Sequence, residues 1–162
     1  MTLALGIDPG TATTGYGLVR LAPDGGLVAV NYGVILTPKD ATAPARLVML
    51  YDQLRALINE HHPEVAAVEK LFFSRNVTTA LAVGQARGVV MLCLEQAGIA
   101  AFEYTPNEIK QAVAGYGSAQ KRQVQEMVRA LLALDSIPKP DDAADALAIA
   151  ITHLSTRRYD VE

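Results

Sequence analysis

Four acidic residues in three separated places, Asp8, Glu69 and the pair Asp142 and Asp145, are the side chains of this 162-residue sequence best placed to do chemistry. Asp8 and Glu69 each close a short apolar run, and the pair lies within PDDAADALAIAI. Carboxylates gathered from distant segments repel one another unless a cation lies between them, so convergence of these segments implies a divalent metal site. Hard cations take oxygen ligands, which suits carboxylates and not the lone Cys93. Phosphodiester hydrolysis fits such a set. It needs a water activated near neutral pH and a neutralised leaving oxygen, and two Mg2+ or Mn2+ ions about 4 Å apart supply both.

Each acid also has a plainer reading. Asp8 precedes Pro9-Gly10 and reads equally as a turn residue. Glu69 is a poor strand former at the end of a run expected to be buried, but a Glu at a strand end can simply reach solvent. Asp142 and Asp145 follow Pro140 three apart, the pattern of a helix start that suits the macrodipole, and alone they read as capping. Side chains at i and i+3 nevertheless share a helix face, so one carboxylate can reach a metal while the other supports it. Asp141 points elsewhere and is the expected cap. On this reading one acid of the pair joins Asp8 and Glu69 at the metal and the other supports it.

The elements that must position these acids are legible in the hydrophobic pattern. Leu3 to Asp8, Gly15 to Leu21 and Leu27 to Leu36 read as strands of a meander, the last two joined by Asp24-Gly25-Gly26. Helical spacing runs from Ala43 to Asn59, and Pro63 resets the chain into a strand from Val65 to Glu69. A helix from Val77 to Gln96, a strand from Ile99 to Tyr104, and helices after Pro106, Ser118 and Pro140 follow. Three antiparallel strands and then alternating helices and strands predict an α/β fold, a mixed five-stranded sheet with helices on both faces. Leu3 to Ile7 and Val65 to Val68 are apolar throughout, as strands covered on both faces must be. Ligands of such sheets gather at the carboxyl ends of central strands, which makes Asp8 and Glu69 expected neighbours.

At this length and 51% hydrophobic residues, one domain over residues 1–162 with its own core is expected. A single cysteine excludes a disulfide framework and a Cys/His zinc spacing. MTLALGID lacks the flanks of a signal peptide and no run reaches membrane-spanning length, so a cytoplasmic chain without membrane contact is expected. His61, His62 and His153 do not cluster and read as structural or surface residues. The net charge of −3 argues superficially against nucleic acid. Its distribution says more: residues 70–139 hold eight basic and five acidic side chains, whereas 1–69 hold four and seven and 140–162 two and five. Acid at the suspected metal site and base between suit an enzyme acting on a polyanion.

GIDPGTATTGYG, VEKLFF, GQARGV, GYGSAQKRQVQ and DDAADALAIAITH, in that order over nearly the whole sequence, resemble the RuvC family of bacterial Holliday-junction resolvases. The resemblance implies a ribonuclease-H-like fold, a homodimer, partnership with a branch-migration motor, and Mg2+-dependent paired nicking of four-way DNA junctions. By motif, Asp8, Glu69, Asp142 and Asp145 fall on the family's catalytic acids, with Asp8, Glu69 and Asp142 expected as direct metal ligands and Asp145 in the supporting place. Some relatives carry His where this chain keeps Asp142.

Residues for DNA contact divide by what supports them. If Ser118 caps its helix, Lys121 lies in the first turn, where a cation opposes the macrodipole, and a DNA phosphate would remove that conflict. A solvated surface lysine is the alternative. Lys110 has only a surface reading by itself, and the resemblance assigns both lysines to DNA binding or catalysis. Phe72 and Phe73 follow the Glu69 strand, where an aromatic is more often core, the reading that suits Phe73, but can also wedge into or stack on unpaired bases at a branch point; the resemblance gives Phe72 that second role. Arg75 and Arg122 are expected phosphate contacts. Val77 to Gln96 is apolar on several faces and needs burial by this domain or by a second subunit. Two rival readings are a related nuclease acting on ribosomal RNA precursors and an actin-like ATP-binding phosphotransferase, the latter because Asp8-Pro9-Gly10-Thr11 also resembles a phosphate loop.

Overall fold

The computed structural model describes residues 2–10, 12–70 and 76–157. Its elements run β1 (Leu3–Asp8), β2 (Thr13–Leu21), β3 (Leu27–Leu36), α1 (Ala43–His61), β4 (Val65–Glu69), α2 (Val77–Gln96), β5 (Ala100–Tyr104), α3 (Pro106–Ala114), α4 (Lys121–Leu131) and α5 (Asp141–Arg157). The strands form one sheet in the order β3-β2-β1-β4-β5. The meander gives the antiparallel pairs β1–β2 and β2–β3, and the helical crossovers through α1 and α2 give the parallel pairs β1–β4 and β4–β5. The mixed five-stranded sheet is therefore as the sequence pattern predicts.

Two cores account for the unbroken apolar runs of β1 and β4. Leu3, Leu5 and Ile7 pack with Leu50, Leu54, Ala86 and Val90 under α1 and α2. Ala4, Val65 and Ala67 face the other way, against Ile109, Val128, Leu147 and Ile151 of α3, α4 and α5. Side chains alternate along a strand, so Asp8, two residues beyond Gly6 and four beyond Ala4, stands on the α5 face. Glu69, two beyond Ala67, stands there too. Helix α5 is buried over nearly its whole length, from Ala143 to Leu154.

Most boundaries agree with the pattern, and the differences have local causes. Helix α1 runs on to His61 because His62 closes it in the left-handed conformation, φ 51°, its N–H bonded to Ile58 O. Helix α4 begins after Gln120, not at Ser118: the Gln120 backbone N–H is held by Gln123 Oε1 at 2.8 Å, so Ser118 is not the cap. Asp141 is not a cap either. It is the first residue of α5, and its carboxylate accepts from Gln125 Nε2 at 3.3 Å and pairs with Lys121 Nζ at 3.3 Å. Strand β2 begins at Thr13 and β5 at Ala100, shifts of one or two residues of the kind expected at element ends.

Helix α2 corrects the expectation about membranes in one respect: its 20 residues are long and apolar enough, by length and composition, to cross one. One face of it is instead packed on the sheet through Ala86, Val90, Cys93 and Leu94, while Val77, Leu81 and Leu92 stay exposed. The histidines hold structural posts. His153 is buried with Nδ1 2.7 Å from the Tyr104 hydroxyl, and His61 Nε2 lies 3.3 Å from Asn31 Nδ2.

Candidate active site

Parallel pairing of Ile7 with Val68 puts the next residues on each strand, Asp8 and Glu69, side by side at the carboxyl edge of the sheet. Helix α5 brings the other acids to that edge. One oxygen each from Asp8, Asp142 and Asp145 lies within 4.8 Å of the others, a set able to hold a metal ion. The donors are all hard carboxylate oxygens, as Mg2+ or Mn2+ require. Glu69 borders this trio and lines the adjoining cleft with Lys110, Lys121 and Asp145.

The close approach of α5 depends on strand glycines. A Cβ added at Gly6 would lie 2.0 Å from the Ala146 carbonyl oxygen, and one at Gly15 would lie 2.0 Å from the Asp142 carbonyl oxygen. No side chain fits between the helix backbone and the sheet at either point. The missing side chains let α5 lie directly on β1 and β2, which lowers Asp142 and Asp145 to the level of Asp8.

The price of gathering these acids is visible in their protonation. Burial, then Asp145, Glu69 and Asp142, raise the Asp8 pKa from 3.8 to about 7. Burial and Asp145 raise Glu69, and burial with Asp142 and Asp141 raises Asp145. A bound cation would relieve this repulsion. The charge of Lys121 is favoured chiefly by Asp145. Lys121 Nζ lies 3.3 Å from Asp141 and 3.8 Å from Asp145. The anion expected at the start of its helix is thus supplied by the protein itself, through solvent-exposed pairs.

These shifts predict how stability depends on pH. A carboxyl whose folded pKa lies above its unfolded value binds a proton more readily in the native state, so Asp8 makes the metal-free protein less stable as pH rises from 3.8 to about 7. His153 acts oppositely, because burial and Arg157 lower its pKa and protonation at low pH disfavours the fold. The difference in Tm between Asp8→Asn and the parent protein isolates the first effect. It should grow between pH 5 and about 7 without metal and shrink in saturating Mg2+. A difference independent of both pH and Mg2+ would contradict the assignment of a charge-crowded metal site.

Of the residues singled out by sequence, Asp8, Glu69, Asp142, Asp145, Lys110 and Lys121 converge on one edge of the sheet. Asp145, given a supporting place from sequence, sits inside the oxygen trio, while Glu69, expected as a direct ligand, borders it. Arg122 points along its own helix to Glu126, 3.3 Å away. Phe72, Phe73 and Arg75 lie outside the described residues. Sequence reasoning gave no role to Gly6, Gly15 or Arg87. The available signals were glycines within otherwise apolar strands and a lone cation between Val77 and Leu94.

A mixed sheet with acids at the ends of two adjacent parallel strands, met by two more acids on a helix laid across them, defines a ribonuclease-H-like nuclease. The chain belongs to the RuvC family: the family model for crossover junction endodeoxyribonuclease RuvC matches residues 4–153. It is 60% identical over 154 residues to the crossover junction endodeoxyribonuclease RuvC of Chloroflexus aggregans, covering 94% of this chain and 93% of that protein. Thermus thermophilus RuvC in complex with a Holliday junction substrate superposes with a TM-score of 0.94 at 35% identity, over 99% of this chain and 97% of the other. The yeast mitochondrial Holliday junction resolvase, at 14% identity and a TM-score of 0.74 over 97% of this chain and 79% of its own, shares the fold.

Proposed function

We propose that this chain is a crossover junction endodeoxyribonuclease that resolves four-way DNA junctions by paired, metal-dependent nicking in recombination and repair. The observation that carries this reading is the acid cluster at the ends of β1 and β4 and the start of α5 in a chain of this family. Asp8, Asp142, Asp145 and Glu69 are proposed to hold Mg2+, or Mn2+ in its place, as two ions per site with DNA bound. Bound there, the cations would make a water nucleophilic near neutral pH and neutralise the leaving oxygen. Asp8, raised to about 7, keeps its own proton until metal or rising pH removes it, so it couples metal loading to pH.

Around the acids, Lys110 and Lys121 frame the cleft as cations facing the polyanion, with Lys121 leaving Asp141 and Asp145 to pair with phosphate. Cleavage at the P–O3′ bond, giving 5′-phosphate and 3′-hydroxyl ends, is the outcome proposed from the family. Phe72 is proposed to act at the branch point, and Arg75 and Arg122 to contact backbone phosphates. A symmetric junction calls for two sites related by a two-fold axis, so a homodimer of single-domain subunits, 1–162 each, is proposed. The exposed apolar residues Val77, Leu81 and Leu92 of α2 favour it. A branch-migration motor as partner and a cytoplasmic location complete the reading.

The ribosomal RNA and actin-like alternatives find no support among these matches. The direct test compares cleavage of a synthetic four-way junction, a linear duplex and a structured RNA, each with and without Mg2+. Symmetric nicks in the junction only, and only with metal, are expected. Preferential cutting of the RNA, or junction cutting in a chelator, would defeat the proposal.

A further inference from the structure

Arg87 is well tied into the protein and unused by the chemistry above. Its side chain is only 13% exposed. Nη1 donates to the Glu69 backbone carbonyl oxygen at 2.6 Å, and Nη2 pairs with the Glu103 carboxylate on β5. The β5 side of this strand end is held by the Glu69–Tyr104 pair and by the Lys70 N–H, which donates to Tyr104 O at 2.8 Å, whereas the Glu69 carbonyl lies past the last β1–β4 pair, Ile7 with Val68, and Pro9 after Asp8 has no N–H with which to extend that ladder. A forked guanidinium anchored on a packed helix suits the task of holding such a strand end. The anchor is firm, since Ala86 and Val90 of the same helix are 2% and 0% exposed.

We infer that Arg87 is a positioning residue, pinning to α2 the side of the β4 end that β1 leaves without a partner and so fixing the Glu69 carboxylate beside Asp8 and Asp145. This rests on the reading that Glu69 belongs to the cleavage site. It also gives a role to the GQARGV segment.

The test uses the full chain as Arg87→Met, Arg87→Lys, Glu69→Gln and the double variant Arg87→Met with Glu69→Gln. The readouts are single-turnover junction cleavage against Mg2+ concentration, junction Kd without divalent metal, and the thermal shift produced by Mn2+ without DNA. Residues that orient metal ligands typically contribute about 10–100-fold to affinity or activity. Arg87→Met should therefore cut about 10–100-fold more slowly. Its midpoints for Mg2+ and Mn2+ should move to higher concentration while junction Kd holds. Arg87→Lys, which keeps the charge but not the fork, should fall between, and the double variant should be no slower than Glu69→Gln alone. Wild-type rate and midpoints in Arg87→Met, with Glu69→Gln impaired, would overturn the inference alone. Wild-type cleavage by Glu69→Gln would instead remove the role of Glu69 and the inference with it. If Arg87→Met lacks a cooperative thermal transition, Arg87→Lys decides, its wild-type midpoints overturning the inference and its raised ones supporting it.

Discussion

Asp8→Asn should bind a four-way junction as the parent protein does and cut it about 10³-fold or more slowly, because several kcal/mol of transition-state stabilisation leave with the metal-binding carboxylate. The amide keeps the size of the side chain and one oxygen but loses the charge that a hard cation needs. The same change should make the metal-free protein more stable above neutral pH. It removes the acid whose pKa is pushed to about 7 by burial and by Asp145, Glu69 and Asp142. Three measurements check this: junction affinity without metal, single-turnover cleavage in Mg2+, and Tm with and without Mg2+. Slower cleavage together with a higher metal-free Tm and a lost Mg2+ shift is the expected pattern. Undiminished cleavage would sink the assignment of the site, and a lower Tm would show that Asp8 is structural.

Gly15→Ala should be nearly as damaging although glycine carries no functional group. The new Cβ would stand 2.0 Å from the Asp142 carbonyl oxygen, so α5 or β2 must move. Overpacking of this kind costs about 1–3 kcal/mol, and the shift lands on a residue that has to meet Asp8. A displacement of about 1 Å at a catalytic constellation can cost about 10²-fold in rate, so cleavage should fall by that order even where the protein is folded. Gly6→Ala meets the Ala146 carbonyl at the same 2.0 Å, one turn further along α5, and should cost comparable stability. Tm and single-turnover rate measured on the same preparation separate the two effects. A Gly15→Ala protein with parental stability and rate would mean that α5 is less tightly seated than the structure describes.

Much of this arrangement is legible in the sequence. Unbroken apolar runs ending in an acid marked β1 and β4 as strands covered on both faces, and Asp8 and Glu69 as their carboxyl-end residues. Pro140, the acids after it and an almost wholly apolar body marked α5 as a buried helix. Lys121 was legible as a cation in an unfavourable first turn. What the pattern misjudged were helix caps, since Gln120 rather than Ser118 precedes α4 and Asp141 serves as a counter-ion for Lys121. Capping depends on which backbone groups the rest of the fold leaves unsatisfied, and residue type alone underdetermines it.

What the sequence determined by itself was the inventory and the element order, because hydrophobic period and turn chemistry are local and the acids stand at readable ends of elements. Only the tertiary structure decided which oxygens meet. Asp145 stands with Asp8 and Asp142 in the trio and Glu69 beside it, because strand glycines let α5 lie at backbone contact on the sheet and so set its height and rotation. Distances between side chains far apart in sequence follow from packing across that contact, a property of the assembled layers and not of any one segment.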